Sequence, residues 1–281
     1  MKPIRYKSVR ALLLALLLVC LPAAAELQPL RLGIMPFNSA LALIKTHQPL
    51  RLHLQNALGR PVEIFTSADY ITFLNESLAG HFDLMITGPH FGVMGIEKGA
   101  IPLVRYQARL QPVFVVRPDS GIRGLADLKG KRIGLSSRLS ISSIGGVKWL
   151  LDQGLVMGRD FQLYERATHG AAVASVAVGE LDAALTTHTP LKQIPEDVRA
   201  RVTVLPLDVQ VPHLMTLANP RLGKAEIARI RAALWRFGDT AEGREFFRET
   251  GYGGYAEVQR ADIETLRPYV DLTRRVMGLT Q

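Results

Sequence analysis

The chain has 281 residues, 48% of them hydrophobic, with 34 basic residues against 25 acidic ones and a single cysteine. That length can bury the core of one large domain or of two lobes, and one cysteine excludes an internal disulfide framework. The formal charge of +9 is scattered, with only short clusters such as Lys129-Gly130-Lys131-Arg132 and Arg199-Ala200-Arg201, so no nucleic-acid-binding arm is expected.

Lys2, Arg5, Lys7 and Arg10 precede an apolar run from Ala11 to Leu21, and Pro22-Ala23-Ala24-Ala25 follows it. A basic start, a short apolar stretch and small residues at its end read as a secretory signal peptide over residues 1–25. The run is short for a membrane span. Export to the periplasm follows, with cleavage after Ala25. Cys20, the only cysteine, then leaves with the leader. Loss of the four basic residues leaves a modestly basic remainder, which suits an anionic ligand.

Strands and helices then alternate. Leu30 to Met35 reads as a strand, Pro49 to Leu58 as an amphipathic helix stopped by Gly59, and Pro61 to Phe65 as a second strand. Ser67-Ala68-Asp69-Tyr70 caps a helix over Ile71 to Ala79. Phe82 to Ile86 is a third strand, closed by Thr87-Gly88-Pro89, which reads as a loop bend. This order predicts a parallel sheet with helices on both faces and ligands beyond the carboxyl ends of its strands.

The pattern restarts with a strand at Gln111 to Arg117 and a turn and helix over Ser120 to Gly130. A strand at Lys131 to Leu135 leads to a helix at Ile144 to Gln153. Phe161 to Tyr164 and Leu181 to Leu185 read as strands around a helix at Gly170 to Gly179. Val202 to Leu205 is another strand, and Leu214 to Leu217 returns to the first sheet. Helices from Lys224 to Thr250 and from Ala261 to Met277 finish the chain. The fold class is α/β, with two lobes of mixed, mainly parallel sheet and a hinge of two crossing strands. Residues 26–114 and 212–281 form lobe 1, and 115–211 form an inserted lobe 2. Trp149 and Trp235 fall on helices and are expected in the core.

Ser140-Ile141-Ser142-Ser143 stands between a buried-looking strand and an apolar helix. A helix opening this way offers unpaired N–H groups and hydroxyls at its positive end, which suits an anion. A plain serine N-cap is the alternative. His90, His169, His188 and His213 each follow a strand or sit at a crossing, so all four can face one cleft. They are either separate hydrogen-bond donors or a metal site, but no acidic cluster or i,i+4 pair accompanies them. Thr87, Thr186 and Thr187 add hydroxyls at the same level. His47, His53 and His81 are expected on solvated surfaces. No nucleophile elbow, phosphate loop or dinucleotide fingerprint occurs, so neither catalysis nor a cofactor is expected.

Several further segments together carry a resemblance. They are Pro49-Leu50, Leu58-Gly59-Arg60-Pro61-Val62-Glu63, Asp69-Tyr70, Gly80-His81-Phe82-Asp83, Gly88-Pro89, Asp119-Ser120-Gly121-Ile122, the run from Leu125 to Arg132, His169, and Val178-Gly179-Glu180-Leu181-Asp182. In this order the chain resembles, over about residues 30–220, the phosphate/phosphite/phosphonate-binding proteins of bacterial ABC importers, within the type II periplasmic binding proteins. The resemblance implies a receptor that closes on an anion between its lobes and docks on a membrane ABC permease. A membrane sensor kinase or cyclase is the alternative partner. It implies ligand contact by Tyr70, His169 and the serine run, where the family has Ser-Thr-Ser-Gly and this chain has Ser140-Ile141-Ser142-Ser143. With Thr87, His90 and Thr187 added from their strand-end positions, the expected site is Tyr70, Thr87, His90, Ser140, Ser142, Ser143, His169 and Thr187. The family's acidic residues for a substrate amino group have no counterpart near Thr187 to Thr189 or at Leu214, which argues against an aminoalkylphosphonate. A monomer is expected.

Overall fold

Two sheets, each wrapped by helices, share the chain. The computed structural model describes residues 28–279, so the leader expected at 1–25 lies outside the described residues. The first sheet opens with β1 (Leu30–Ile34), α1 (Ala40–Leu58), β2 (Val62–Phe65), α2 (Tyr70–Leu78), β3 (Leu84–Thr87), α3 (Pro89–Glu97) and β4 (Ile101–Tyr106). After the short β5 (Arg109–Leu110), the chain crosses to a second sheet through β6 (Pro112–Val116). There it builds β7 (Lys131–Leu135), α4 (Ile141–Asp152), β8 (Phe161–Glu165), α5 (His169–Ala177), β9 (Ala183–Thr187), α6 (His188–Lys192), α7 (Glu196–Arg199) and β10 (Thr203–Pro206). It returns through β11 (Val211–Pro212) to β12 (Met215–Ala218), α8 (Gly223–Asp239), α9 (Ala241–Thr250), β13 (Tyr255–Ala256) and α10 (Arg260–Val276).

The first sheet has the order β13-β4-β12-β3-β1-β2 and the second β10-β6-β9-β7-β8. β1 runs parallel to β2 and β3, and β7 runs parallel to β8 and β9, while β12 and β6 are antiparallel to their neighbours. β5 and β11 pair with each other alone, Val211 opposite Leu110 and Pro212 opposite Arg109. This two-stranded ribbon is the connection between the lobes.

Both faces of β6 are covered, because its alternate residues enter different clusters. Phe114 and Val116 pack with Ile133, Leu150, Phe161 and Leu185, whereas Val113 and Val115 pack with Val173, Val176 and Ala184. In the first lobe, Leu32, Ile34, Ile86 and Leu217 from the sheet share one core with Leu43, Leu50, Leu54 and Leu58 of α1.

The same local device starts both sheets. Arg31-Leu32-Gly33-Ile34 and Arg132-Ile133-Gly134-Leu135 form matching strands. The Asp83 carboxylate accepts the Arg31 N–H at 2.8 Å, and the Asp182 carboxylate accepts the Arg132 N–H at 2.8 Å. Each glycine clears the bulky residue before that aspartate. A Cβ on Gly33 would lie 2.5 Å from the Phe82 ring, and one on Gly134 would lie 2.7 Å from Leu181. Phe82-Asp83 and Leu181-Asp182 therefore anchor strands and lie apart from the cleft described below.

Several features differ from expectation: Trp235, expected in the core, is 38% exposed because it faces outward on α8, β4 has no counterpart in the sequence reading, and three helices start elsewhere. α1 starts at Ala40, where Ser39 accepts from the Ala42 N–H, and Pro49 lies inside the helix. Buried residues at 43, 47, 50, 54 and 58 hold it in phase through the proline. His47 is consequently buried, which corrects the expectation of a solvated surface. His53 is half-buried against the Ala233 carbonyl, and His81 is exposed. Pro89 is the first residue of α3 and not a loop bend, since its fixed φ and missing N–H suit a helix start. α4 begins three residues earlier than expected, so Ser142 and Ser143 are helical.

Replacing Asp83 by alanine leaves the Arg31 N–H without its acceptor and removes the Arg221 partner at 2.8 Å. The expected loss is about 1.5–3 kcal/mol in urea unfolding. An unchanged midpoint would contradict the anchoring role.

Candidate functional site

The carboxyl ends of β1, β7 and β9 meet across a buried interlobe cavity of about 20 Å³. Met35, Phe37 and Tyr70 line it from the first lobe, Ser140, Ile141, His169, Thr187 and Thr189 from the second, and Leu110 and His213 from beside the connecting ribbon. Leu214, Pro190 and Tyr252 complete the wall. No lysine, arginine, aspartate or glutamate lines it.

Three helices of both lobes begin there. Tyr70 is the first residue of α2, Ile141 of α4 and His169 of α5. Their caps come from the strand ends: Asp69 accepts from the Thr72 N–H, Ser140 from the Ser143 N–H and Thr168 from the Ala171 N–H. Each helix turns its positive end toward the cavity, and in α5 the first N–H, that of His169, already reaches the Phe37 carbonyl at 3.4 Å. Hydroxyls add to them. Tyr70 OH lies 3.4 Å from Ser136 Oγ and 3.5 Å from His169 Nε2, and Ser136 Oγ is 3.3 Å from the same nitrogen.

His213 settles the direction of one donor. Its Nδ1 accepts the Leu214 N–H at 2.8 Å, so the neutral ring carries its proton on Nε2, 3.1 Å from Thr189 Oγ1. The Thr189 oxygen accepts that proton and keeps its own O–H free to donate. Burial holds His213 neutral, well below its ordinary pKa, with the nearby His188 and Arg105 acting in the same direction. Desolvation also lowers His169 to about 4, and its Nδ1 has no hydrogen-bond partner. Burial raises the Tyr70 phenol well above its usual range, partly offset by Ser136, so it stays a proton donor.

Of the residues expected in the site, Tyr70, Ser140, His169 and Thr187 meet at the cavity. The other four are not among its lining residues. Ser142 and Ser143 stand in the first helical turn with their hydroxyls 2.9 and 2.7 Å from Ser140 Oγ, just behind the lining, and Ser143 also lines a groove beside α10. Thr87 lines a separate pocket of about 210 Å³ inside the first lobe. His90 is buried at the lobe interface, where its Nε2 donates to the Leu139 carbonyl at 2.8 Å, and burial lowers its pKa to about 4. His188 accepts the Gln111 N–H at 3.3 Å. Among the described residues, no three histidine, cysteine, aspartate or glutamate side chains come together around one metal position. The apolar wall was missed in the sequence because Phe37, Leu110, Ile141 and Tyr252 come from four distant segments. Thr189 had a signal, since it continues the Thr186-Thr187 strand end.

Further bonds tie the lobes. The His169 N–H reaches the Phe37 carbonyl at 3.4 Å, and Asn38 Nδ2 donates to Gln193 Oε1 at 3.1 Å. Gln193 Nε2 in turn donates to Tyr252 OH at 3.1 Å. Leu139 and Ile141, although carried by the second lobe, pack in the core of the first.

Two lobes joined by a paired ribbon around such a cleft define a periplasmic binding protein of type II. The chain matches the family described as ABC transporter, phosphonate, periplasmic substrate-binding protein over residues 32–263, and it belongs to that family. Solved structures share the fold at low identity. PhnD1 from Prochlorococcus marinus in complex with methylphosphonate is 16% identical, with a TM-score of 0.76 over 89% of this chain and 98% of that one. A binding protein component of a phosphonate ABC transporter from Pseudomonas aeruginosa is 15% identical, with a TM-score of 0.76 over 89% and 88%. The aliphatic sulphonate binding protein SsuA from Escherichia coli is 19% identical, with a TM-score of 0.61 over 90% and 94%.

The buried histidines make stability depend on pH. His47, His90 and His169 titrate near 4 when folded, each chiefly because of burial, against about 6.5 in an unfolded chain. The unfolded state therefore binds more protons between these values, and stability falls as pH drops from about 6.5 to 4, by up to roughly 1.4 kcal/mol per pH unit for each histidine. Urea unfolding across pH 7.5 to 4.5 should show this slope, and His47→Gln should lower it by one proton. A flat profile would rule the coupling out.

Proposed function

We propose that this chain is a periplasmic receptor that captures a small oxyanion of the phosphonate, phosphite or phosphate class and presents it to a membrane ABC permease. The observation that carries the reading is the convergence of three helix N-termini and the Tyr70, Ser140, Thr187 and Thr189 hydroxyls on one uncharged cavity. Such a site replaces hydration by oriented N–H and O–H groups. It lacks the carboxylate that a ligand ammonium group would need. Capture proceeds without catalysis in this reading: among the described residues, no carboxylate lines the cavity to orient a histidine toward a nucleophile.

In this reading residues 1–25 direct export and are removed. Residues 26–114 with 212–281 move as one lobe and 115–211 as the other, hinged at β5 and β11. The protein acts as a monomer and binds no nucleic acid.

A thermal-shift screen of residues 26–281 against phosphite, phosphate, methylphosphonate and alkanesulfonates, with calorimetry on the hits, tests the reading. A ligand at a hundred times its dissociation constant adds about 2.7 kcal/mol of stability. Tyr70→Phe should weaken the best ligand by about tenfold or more, the loss of one hydrogen bond to a charged partner. Ser39→Ala, at the cap of α1, should leave affinity unchanged. No response to any phosphorus oxyanion would refute the assignment.

A further inference from the structure

Ile141 occupies the first position of α4, directly after the Ser140 cap, where the backbone N–H is free to meet a ligand. Its side chain belongs to neither core cluster of the lobe that carries it. It packs instead with Leu139 in the core of the first lobe and is 6% exposed. It also lines the cavity, as do Met35, Phe37, Leu110 and Leu214. One branched aliphatic side chain therefore fills the boundary between the polar turn at Ser140 and the apolar wall of the opposite lobe.

The space left is about 20 Å³, whereas one water takes roughly 10–15 Å³ by the same measure. Interior side chains sit at crystal-like density, so each added methylene on a ligand must push one of them off its place. Parting the lobes to make room separates Leu139 and Ile141 from the first-lobe core. A compact tetrahedral anion asks for the least of this, and an alkyl tail asks for more with each carbon. The polar groups do not set such a limit, because they contact the oxygens that all members of the series share.

We propose that Ile141 is the size-determining residue of the cleft, so that affinity falls with each carbon added along the series phosphite, methyl-, ethyl- and propylphosphonate. This inference rests on the anion-capture reading above. It adds that selectivity within the class is apolar in origin and is carried by a side chain that makes no hydrogen bond to the ligand.

The test is calorimetry of residues 26–281 with phosphite and with methyl-, ethyl- and n-propylphosphonate. Wild type should bind ethyl- and propylphosphonate at least about tenfold more weakly than phosphite, the penalty expected for overpacking a dense site. Ile141→Ala should raise the propylphosphonate-to-phosphite affinity ratio by about tenfold or more. Ile141→Val, which removes one methyl group and keeps the fold, should move the ratio the same way by less. A ratio unchanged in both variants overturns the role of Ile141 while leaving anion capture standing. Equal affinity of wild type for all four ligands does the same. Binding of none of them overturns both.

Discussion

Burial keeps the histidines at the lobe interface neutral, so the cleft offers an anion only dipoles and hydrogen-bond donors. A lysine or arginine there would attract the ligand more strongly, but it would also need a buried partner whenever the ligand left. Oriented N–H and O–H groups carry a smaller desolvation cost and are fixed in place before the ligand arrives. The fold supplies that fixing. Tyr70, Ser140 and His169 hold their positions because each stands where a strand passes into a helix, with the cap bond already made. A site built this way can hold an anion and still release it to a partner.

The two lobes meet through few polar bonds, several of them long. His169 to Phe37 spans 3.4 Å, and Tyr70 to Ser136 spans 3.4 Å. Bonds of this kind contribute little net free energy, because water replaces them when the lobes part. The apolar contribution is larger, since Leu139 and Ile141 are mostly withdrawn from water. His90 ties the two terms together: its ring donates to the carbonyl of Leu139, so the residue that inserts its side chain is also held by its backbone. β5 and β11 connect the lobes by two short paired strands, which bend more readily than a packed interface slides.

The alternation of strands and helices was legible because β1, β3, β7 and β9 are short apolar runs bounded by turn residues. The strand-end rule and the family resemblance together pointed to Tyr70, Ser140, His169 and Thr187, which all reach the cavity, and also to Thr87 and His90, which do not line it. Helical phase was the weak point. Reading α4 from Ile144 left Ser142 and Ser143 in a loop, whereas the helix starts at Ile141 and engages both hydroxyls with the Ser140 cap. Reading α1 from Pro49 left His47 outside the helix, whereas the Ser39 cap starts it at Ala40, nine residues sooner, and buries that ring. β4 escaped notice because Pro102 and Arg105 interrupt its apolar pattern. They are tolerated because the strand is irregular there, with a register shift against β12 between Thr216 and Leu217. The match between the two Arg-x-Gly strands and their aspartates emerged only with the two carboxylate-to-backbone bonds.

The apolar wall and the polar turn act on each other. Phe37, Leu110, Ile141 and Leu214 exclude water from the cavity, and in that low-dielectric space the N-terminal dipoles of α2, α4 and α5 count for more than they would at an open surface. The same exclusion depresses the histidine pKa values and so prevents the site from acquiring the charge that would bind anions without discrimination. Opening the wall to admit a larger ligand would therefore do more than create space. It would admit water, weaken each donor and return the histidines toward their ordinary titration range. The proposed size selection and the anion affinity would then rest on one packing arrangement, and a change to the wall would alter both.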